Sequence, residues 1–242
     1  MFYNYSFVFE RLRNDGNTIV LIDSANEFSE MSDEEFESFL TSFLRSALPL
    51  TTEQALFYVC MDWRHMDHLN AATKALRLMP QNLCVWAKTN AGMGSFYRSQ
   101  HELIAVYSRT TKFQNNINLG ASGRYRTNVW QYDGVTSFGP TRTEDLVDHP
   151  TVKPTKLITD ILLDCTSIGD WVLDQFLGSG TTCLAAEQVS RRCLGFELEP
   201  KFVDVALKRL KDRCNLDAVH VQSGKSYDEI KDDRLLSSAG GS

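Results

Sequence analysis

"VLDQFLGSGTT" occupies residues 172–182. A strand-like apolar run ends on Asp174, and a loop holding Gly178 and Gly180 follows at once. Glycine loops set between a strand and a helix hold nucleotides, because a backbone without Cβ atoms can approach a ligand closely. The next stretch, "GTTCLAAEQVS" (180–190), reads as a helix. "RRCLGFEL" (191–198) reads as a second strand with Glu197 near its end. The order is strand, glycine loop, helix, strand, acid. That unit puts a ligand at the carboxyl ends of the strands, with Glu197 placed for ribose hydroxyls.

Three ligands compete for such a loop. A P-loop needs Gly-Lys-Ser/Thr after four spacers, and there is no lysine here. A dinucleotide loop needs a third small residue three positions after Gly180, where Cys183 stands. It would also bring pyrophosphate close to Asp174, and two anions repel. S-adenosylmethionine fits better, because its ammonium and its sulfonium are both attracted by a carboxylate beside the glycines. A purely structural turn is the remaining reading. A nicotinamide-dependent oxidoreductase is a weaker one, and Asp174 argues against it.

The rest of the chain alternates in the same way. Ser32 and Glu35 form a capping box, and Phe36, Phe39, Leu40, Phe43, Leu44 and Ala47 recur at helical spacing, so a helix runs to about Leu48. Strands are predicted at 55–61, 83–88, 101–108 and 170–176, and helices at 65–76, 155–166 and 200–214. "FYNYSFVF" and "NTIVLID", within residues 1–31, are poorly patterned strand candidates. This alternation predicts an α/β protein with a mainly parallel sheet. Residues 109–148 are polar, Asn-rich and Gly-rich and read as a long irregular segment, ordered by its aromatics Phe113, Tyr125, Trp130 and Tyr132. The organisation expected is one domain over 1–216 and a loose tail over 217–242.

The 242 residues are 43% hydrophobic and 23% charged, as in an ordinary soluble globular protein. No apolar run is long enough to span a bilayer, and no basic, apolar leader opens the chain. The six cysteines (60, 84, 165, 183, 193, 214) contain no C-x-x-C pair and are read as reduced, which places the protein in the cytoplasm. His65 and His68, with Cys60 and Asp62 nearby, lack a second ligand pair, so no metal is expected.

Net charge is −6, yet it is unevenly spread. Between His68 and Tyr132 stand Lys74, Arg77, Lys88, Arg98, Arg109, Lys112, Arg124 and Arg126 against Glu102 alone. That window carries +7, which leaves −13 for the remainder. A local basic zone on an acidic body can bind a polyanion, since screening confines the interaction to about 10 Å. A solvated basic face is the alternative. Lys and Arg position a duplex through phosphates, while Asn and Arg read base edges. Arg98, Arg109, Lys112, Arg124, Arg126 and Asn128 are therefore the DNA-binding candidates, with Tyr125 and Trp130 for stacking; ordering a long loop is their other possible task.

"LDQFLGSGTT" preceded by "HPTVKP" (149–154) and followed by "GFELEP" (195–200) resembles the amino-methylating DNA methyltransferases, which act on adenine-N6 or cytosine-N4. The resemblance is to the order in which the catalytic motif precedes the cofactor motif, as in bacterial and phage modification methylases. "FYVCMDWRHM", "LCVWAKTNAGMGSFYRSQHELIAVY" and "GRYRTNVW" extend it from about Met31 to Leu210. It implies a seven-stranded Rossmann-like methyltransferase sheet with helices on both faces, S-adenosylmethionine as cofactor and double-stranded DNA as substrate, with adenine-N6 placed ahead of cytosine-N4. It leaves a monomer or a homodimer open. It implies a cofactor loop of Asp174, Phe176, Gly178, Ser179, Gly180 and Thr181, with Glu197 on the ribose. Thr151, Lys153 and Pro154 would close over the methionine end. Arg98, His101 and Glu102 would border the target-base pocket, and 109–148 would be the target-recognition segment.

Two departures qualify these expectations. The family has proline after the motif aspartate, and here Gln175 replaces it, which predicts weaker cofactor binding. The family's catalytic tetrapeptide (Asp, Asn or Ser, then Pro-Pro, then an aromatic) is absent, since none of the six prolines is followed by another. Met1-Phe2-Tyr3-Asn4 aligns with its end, Tyr3 taking the aromatic position. The expectation is a chain that begins within the motif and is slow or inactive, because preorganised acceptors contribute about 10²–10³ in rate.

Overall fold

The structure, a computed structural model, describes residues 18–23, 31–94, 96–117, 124–134 and 153–239, the backbone alone for 18–23 and 237–239. Tyr3, Thr151 and the whole "MFYN" stretch lie outside the described residues. The strands are β1 (Thr18–Asp23), β2 (Leu56–Met61), β3 (Met79–Lys88), β4 (His101–Ser108), β5 (Val129–Tyr132), β6 (Trp171–Asp174) and β7 (Arg192–Gly195). The helices are α1 (Asp33–Ala47), α2 (Met66–Ala75), α3 (Thr155–Cys165), α4 (Thr181–Gln188), α5 (Pro200–Cys214) and α6 (Tyr227–Ala239).

The seven strands form one sheet in the order β5-β3-β4-β2-β1-β6-β7. Neighbours pair parallel except at β4, which runs against both β2 and β3. The expected α/β class with a mainly parallel sheet is therefore what is found. β2 is buried along its whole length, as a strand covered on both faces must be. Its alternate side chains enter two different cores. Leu56, Tyr58 and Cys60 pack with Leu157, Ile158, Ile161 and Leu162 of α3 and Ala185 of α4. Phe57, Val59 and Met61 pack with Phe36, Leu40, Phe43 and Leu44 of α1 and Leu69 of α2. Leu40 is fully buried, and truncating such a side chain to alanine costs about 2–5 kcal/mol.

α1 begins as its sequence dictates: the Ser32 hydroxyl accepts from Glu35 N–H and the Glu35 carboxylate from Ser32 N–H. Elsewhere three expectations need correction. β3 starts at Met79, before the predicted 83, because Pro80 sits at a register shift near the strand start, where proline is tolerated. The segment read as irregular over 109–148 contains β5, four residues with Trp130 buried, too short to show as a period in polar sequence. The stretch read as a loose tail contains α6. Ser226 and Glu229 cap it reciprocally, Ser226 N–H donating to Glu229 Oε2 (2.7 Å) and Glu229 N–H to Ser226 Oγ (3.3 Å). No helix among the described residues is long and apolar enough to cross a membrane.

Candidate functional site

The chain leaves β6 for β7 on one side of the sheet and leaves β1 for β2 on the other. The order reverses between β1 and β6, and ligands of open α/β sheets bind at the carboxyl ends beside such a reversal. Asp174 ends β6 there, buried and level with Leu21 of β1. Asp23, which the sequence reading did not single out, ends β1 at the same edge.

The loop after Asp174 is built from backbone bonds. Asp174 Oδ1 accepts from Phe176 N–H (3.0 Å), and its carbonyl accepts from Phe196 N–H (2.8 Å). Leu177 N–H donates to Phe196 O (2.9 Å), which ties the loop to the end of β7. Glu197 is held at both carboxylate oxygens, Oε2 by Gly178 N–H (2.7 Å) and Oε1 by Glu199 N–H (2.8 Å). Each oxygen keeps a second lone pair for an incoming hydroxyl.

Gly178 and Gly180 adopt φ of +54° and +83°, where L side chains are strained. Gly180 is also required by packing, since a Cβ there would come within 2.7 Å of Ala206 Cβ on α5. The predicted loop is thus present, but part of its glycine requirement serves the close approach of α5.

The side chains of the loop divide differently from the sequence expectation. Half-buried Phe176 packs on Phe39 and Phe43 of α1, centroids 6.0 and 5.4 Å away. The Ser179 carbonyl and hydroxyl and the Thr181 hydroxyl accept from Arg209 Nη1 (2.6, 2.8 and 3.3 Å). Arg209 is buried, and nothing in its helical context marks it out in sequence. Gln175 donates through Nε2 to Ser46 Oγ on α1 (2.9 Å), so the residue in the proline position fastens the loop to a helix.

β4 runs against its neighbours, so its first residues lie at this same edge. His101 there is exposed, and Glu102 accepts from Lys88 Nζ at 2.5 Å and faces Lys153 Nζ at 3.8 Å. Lys153 is buried and Pro154 caps the start of α3. Lys88, Glu102 and Lys153 thus form one polar group beside the start of β4. Arg98 donates to the carbonyls of Ala91 (2.7 Å) and Gly92 (3.2 Å) and closes the loop between β3 and β4.

Of the residues expected to contact DNA, Arg98, Lys112 and Asn128 are exposed, and Arg109, Arg124 and Arg126 are half-buried in bonds within the protein. Arg126 meets Asp164 (Nε to Oδ2, 2.7 Å), donates to Tyr132 Oη (2.9 Å) and covers the Trp130 ring at 5.0 Å. Arg124 bonds Asp164 Oδ1 (2.7 Å) and Asp160. Arg109 bonds the carbonyls of Thr51 (2.5 Å) and Thr52 (2.8 Å) and the Glu53 carboxylate (3.1 Å). Asn128 donates to Leu83 O (3.0 Å). Lys112 and Tyr125 remain exposed. The partners of Arg124 and Arg126 were not legible in sequence, because Asp160 and Asp164 lie 34 to 40 positions further along, where only folding brings them back.

Compared with known proteins, residues 9–208 match the N6/N4 methyltransferase family model described as DNA methylase. The chain is 26% identical over 210 residues to the type II methyltransferase M.HinfI of Haemophilus influenzae, across 80% of this chain and 58% of that protein. It therefore spans less than two thirds of that relative. It is 25% identical over 210 residues to the type II methyltransferase M2.DpnII of Streptococcus pneumoniae, across 83% and 76%. Among solved structures, the cytosine-N4-specific PvuII DNA methyltransferase superposes with a TM-score of 0.68 at 19% identity, covering 85% of this chain and 84% of that one. The complex of M1.HpyAVI with SAM superposes at 0.63 and 21% identity, covering 88% and 95%. At these identities the two structures speak for the fold.

Proposed function

Because this chain belongs to the N6/N4 DNA methylase family, we propose that it binds S-adenosylmethionine at the carboxyl ends of β6 and β7 and methylates an exocyclic amine of DNA, in the cytoplasm. The observation that carries the reading is the pair of carboxylates at that edge: Asp174 at the strand end, and Glu197 locked by two backbone N–H groups across the glycine loop.

The residues fit the cofactor. Two glycines at positive φ let the backbone run close to a ligand, and both acids meet a ligand with a cationic end and free hydroxyls. Asp174 would attract the cationic end and Glu197 would accept from the ribose hydroxyls. Lys153, Glu102 and Lys88 would hold the wall beside His101. When bound, the cofactor supplies an electrophilic methyl on a sulfonium. An exocyclic amine is a poor nucleophile because its lone pair is delocalised into the base, so acceptors must hold its hydrogens. The acceptor is adenine N6 or cytosine N4, and analysis of the methylated nucleoside decides between them.

A second reading is a chain that binds cofactor and DNA without turnover. In that reading no acceptor holds the amine hydrogens. Transfer of labelled methyl from S-adenosylmethionine to DNA, run beside calorimetric titration of the cofactor, tests both. Transfer establishes the first reading, binding without transfer the second, and the failure of both removes the cofactor assignment.

A further inference from the structure

The loop between β3 and β4 carries Met93, Phe96 and Tyr97 at 93%, 86% and 82% exposure. Single exposed apolar residues need no explanation, but a cluster of large ones rimmed by polar groups marks an interaction site. These three stand within five positions at the edge of the sheet that holds the candidate cofactor site.

Their backbone is closed. Gly92 N–H donates to Ser99 O (2.7 Å), and Arg98 ties the carbonyls of Ala91 and Gly92. Gly94 is obligatory, since a Cβ there would stand 2.0 Å from Tyr97 O. Phe96 and Tyr97 meet edge to face, centroids 4.5 Å apart. Gly92 and Arg98 are tied by the loop's own bonds while Met93, Phe96 and Tyr97 stand in water.

We propose that this loop is a wedge for double-stranded DNA, its Phe96–Tyr97 pair and Met93 entering between bases while Arg98 meets the flanking phosphate. The proposal rests on the DNA methylase reading above. Apolar side chains inserted at a base step unstack it and bend the duplex, and aromatic rings stack on bases of any sequence. Charge favours the same partner. From Thr89 to His101 there is no Asp or Glu, although the chain as a whole carries −6. Arg98 spends two of its five N–H donors on loop carbonyls, which leaves three for phosphate oxygens.

The test uses the full chain, a mixed-sequence duplex of about 20 base pairs, and the same duplex with a central abasic site, followed by fluorescence anisotropy. S-adenosylmethionine binding by calorimetry is measured in parallel. The Phe96→Ala/Tyr97→Ala double variant is expected to weaken duplex binding about tenfold or more, with cofactor affinity and melting temperature unchanged. Phe96→Tyr/Tyr97→Phe is expected to keep duplex binding. The wild type is expected to prefer the abasic duplex, where stacking is already lost, and the alanine variant to lose that preference. Equal duplex binding by the alanine variant and the wild type would overturn the wedge. So would cofactor binding without any DNA binding, which leaves the cofactor reading standing. Wedge-dependent DNA binding without cofactor binding would instead keep the wedge and remove the cofactor. Binding to anionic lipid vesicles that needs Phe96 and Tyr97, in a chain that ignores DNA, would reassign the loop to a membrane surface.

Discussion

The glycine loop after β6 and the segment docked on α3 solve the same problem by different means. Both must hold irregular backbone at the edge of the sheet. The loop uses backbone N–H groups, two left-handed glycines and two carboxylates. The docked segment uses charged side chains: Arg124 and Arg126 against Asp160 and Asp164, with Asn116 donating to the carbonyls of Leu163 and Thr166 at the end of α3. The first keeps its side-chain carboxylates at the carboxyl edge of the sheet. The second spends its charged side chains on the protein. Basic residues in a presumed recognition segment are therefore no measure of DNA contact; what counts is whether a carboxylate has already claimed them.

Asp164→Ala attacks this difference where it is largest. Asp164 is 4% exposed and meets both guanidinium groups. Removing one partner of a buried pair leaves charge uncompensated, and about 3 kcal/mol of stability is expected to be lost. A urea unfolding midpoint measures it. A variant as stable as the wild type would show that the docking of Arg124 and Arg126 does not depend on this carboxylate.

Gly180→Ala tests the loop in the same currency. Positive φ and a Cβ 2.7 Å from Ala206 together are expected to cost about 2 kcal/mol. Adding Ala206→Gly should recover the steric share and leave the share due to φ. Complete recovery would show that packing against α5 alone fixes this glycine.

How much of this was legible follows from where each partner lies. Ser32 and Glu35 are three residues apart and precede an apolar period, so α1 was readable. Ser226 and Glu229 have the same spacing, but no apolar period follows them, and α6 was read as tail. Asp174, Gly178, Gly180 and Glu197 fall in one βαβ unit, and the structure brings them together. Phe176 was assigned to the ligand because it shares that stretch; its ring packs on Phe39 and Phe43 of α1, contacts that no local pattern announced. Arg209 was missed because its partners Ser179 and Thr181 lie about thirty residues back.

Glu197→Gln probes the ligand side of the loop. The amide keeps one acceptor oxygen and loses the charge that aligns two N–H donors. The dissociation constant for S-adenosylmethionine is expected to rise about tenfold, roughly 1.4 kcal/mol. Calorimetry reads the affinity, and a melting curve separates it from a change in fold. Unchanged affinity would move the ribose to another acceptor.

The smallest effect expected is one of pH, on the α3 side. Burial pushes Asp160 up, but the bonds from Tyr132 and Arg124 and the charges of Arg126 and Arg124 outweigh it and hold the carboxyl below its usual range. A depressed acid stabilises the fold at pH above its unfolded value, about 3.9, and loses that contribution as pH falls through the lower folded value. Asp164 runs the other way: burial outweighs the bond and charge of Arg124 and the charge of Arg126, and its carboxyl is raised. Its ionisation therefore opposes folding where that of Asp160 supports it. Asp160→Asn should then cost about 1 kcal/mol at pH 7, with the gap to the wild type closing below about pH 4. Thermal melts from pH 3 to 7 follow the gap. A gap that does not narrow at all as the pH falls from 5 to 3 would mean that Asp160 acts through the shape of its bond to Tyr132 and not through its charge.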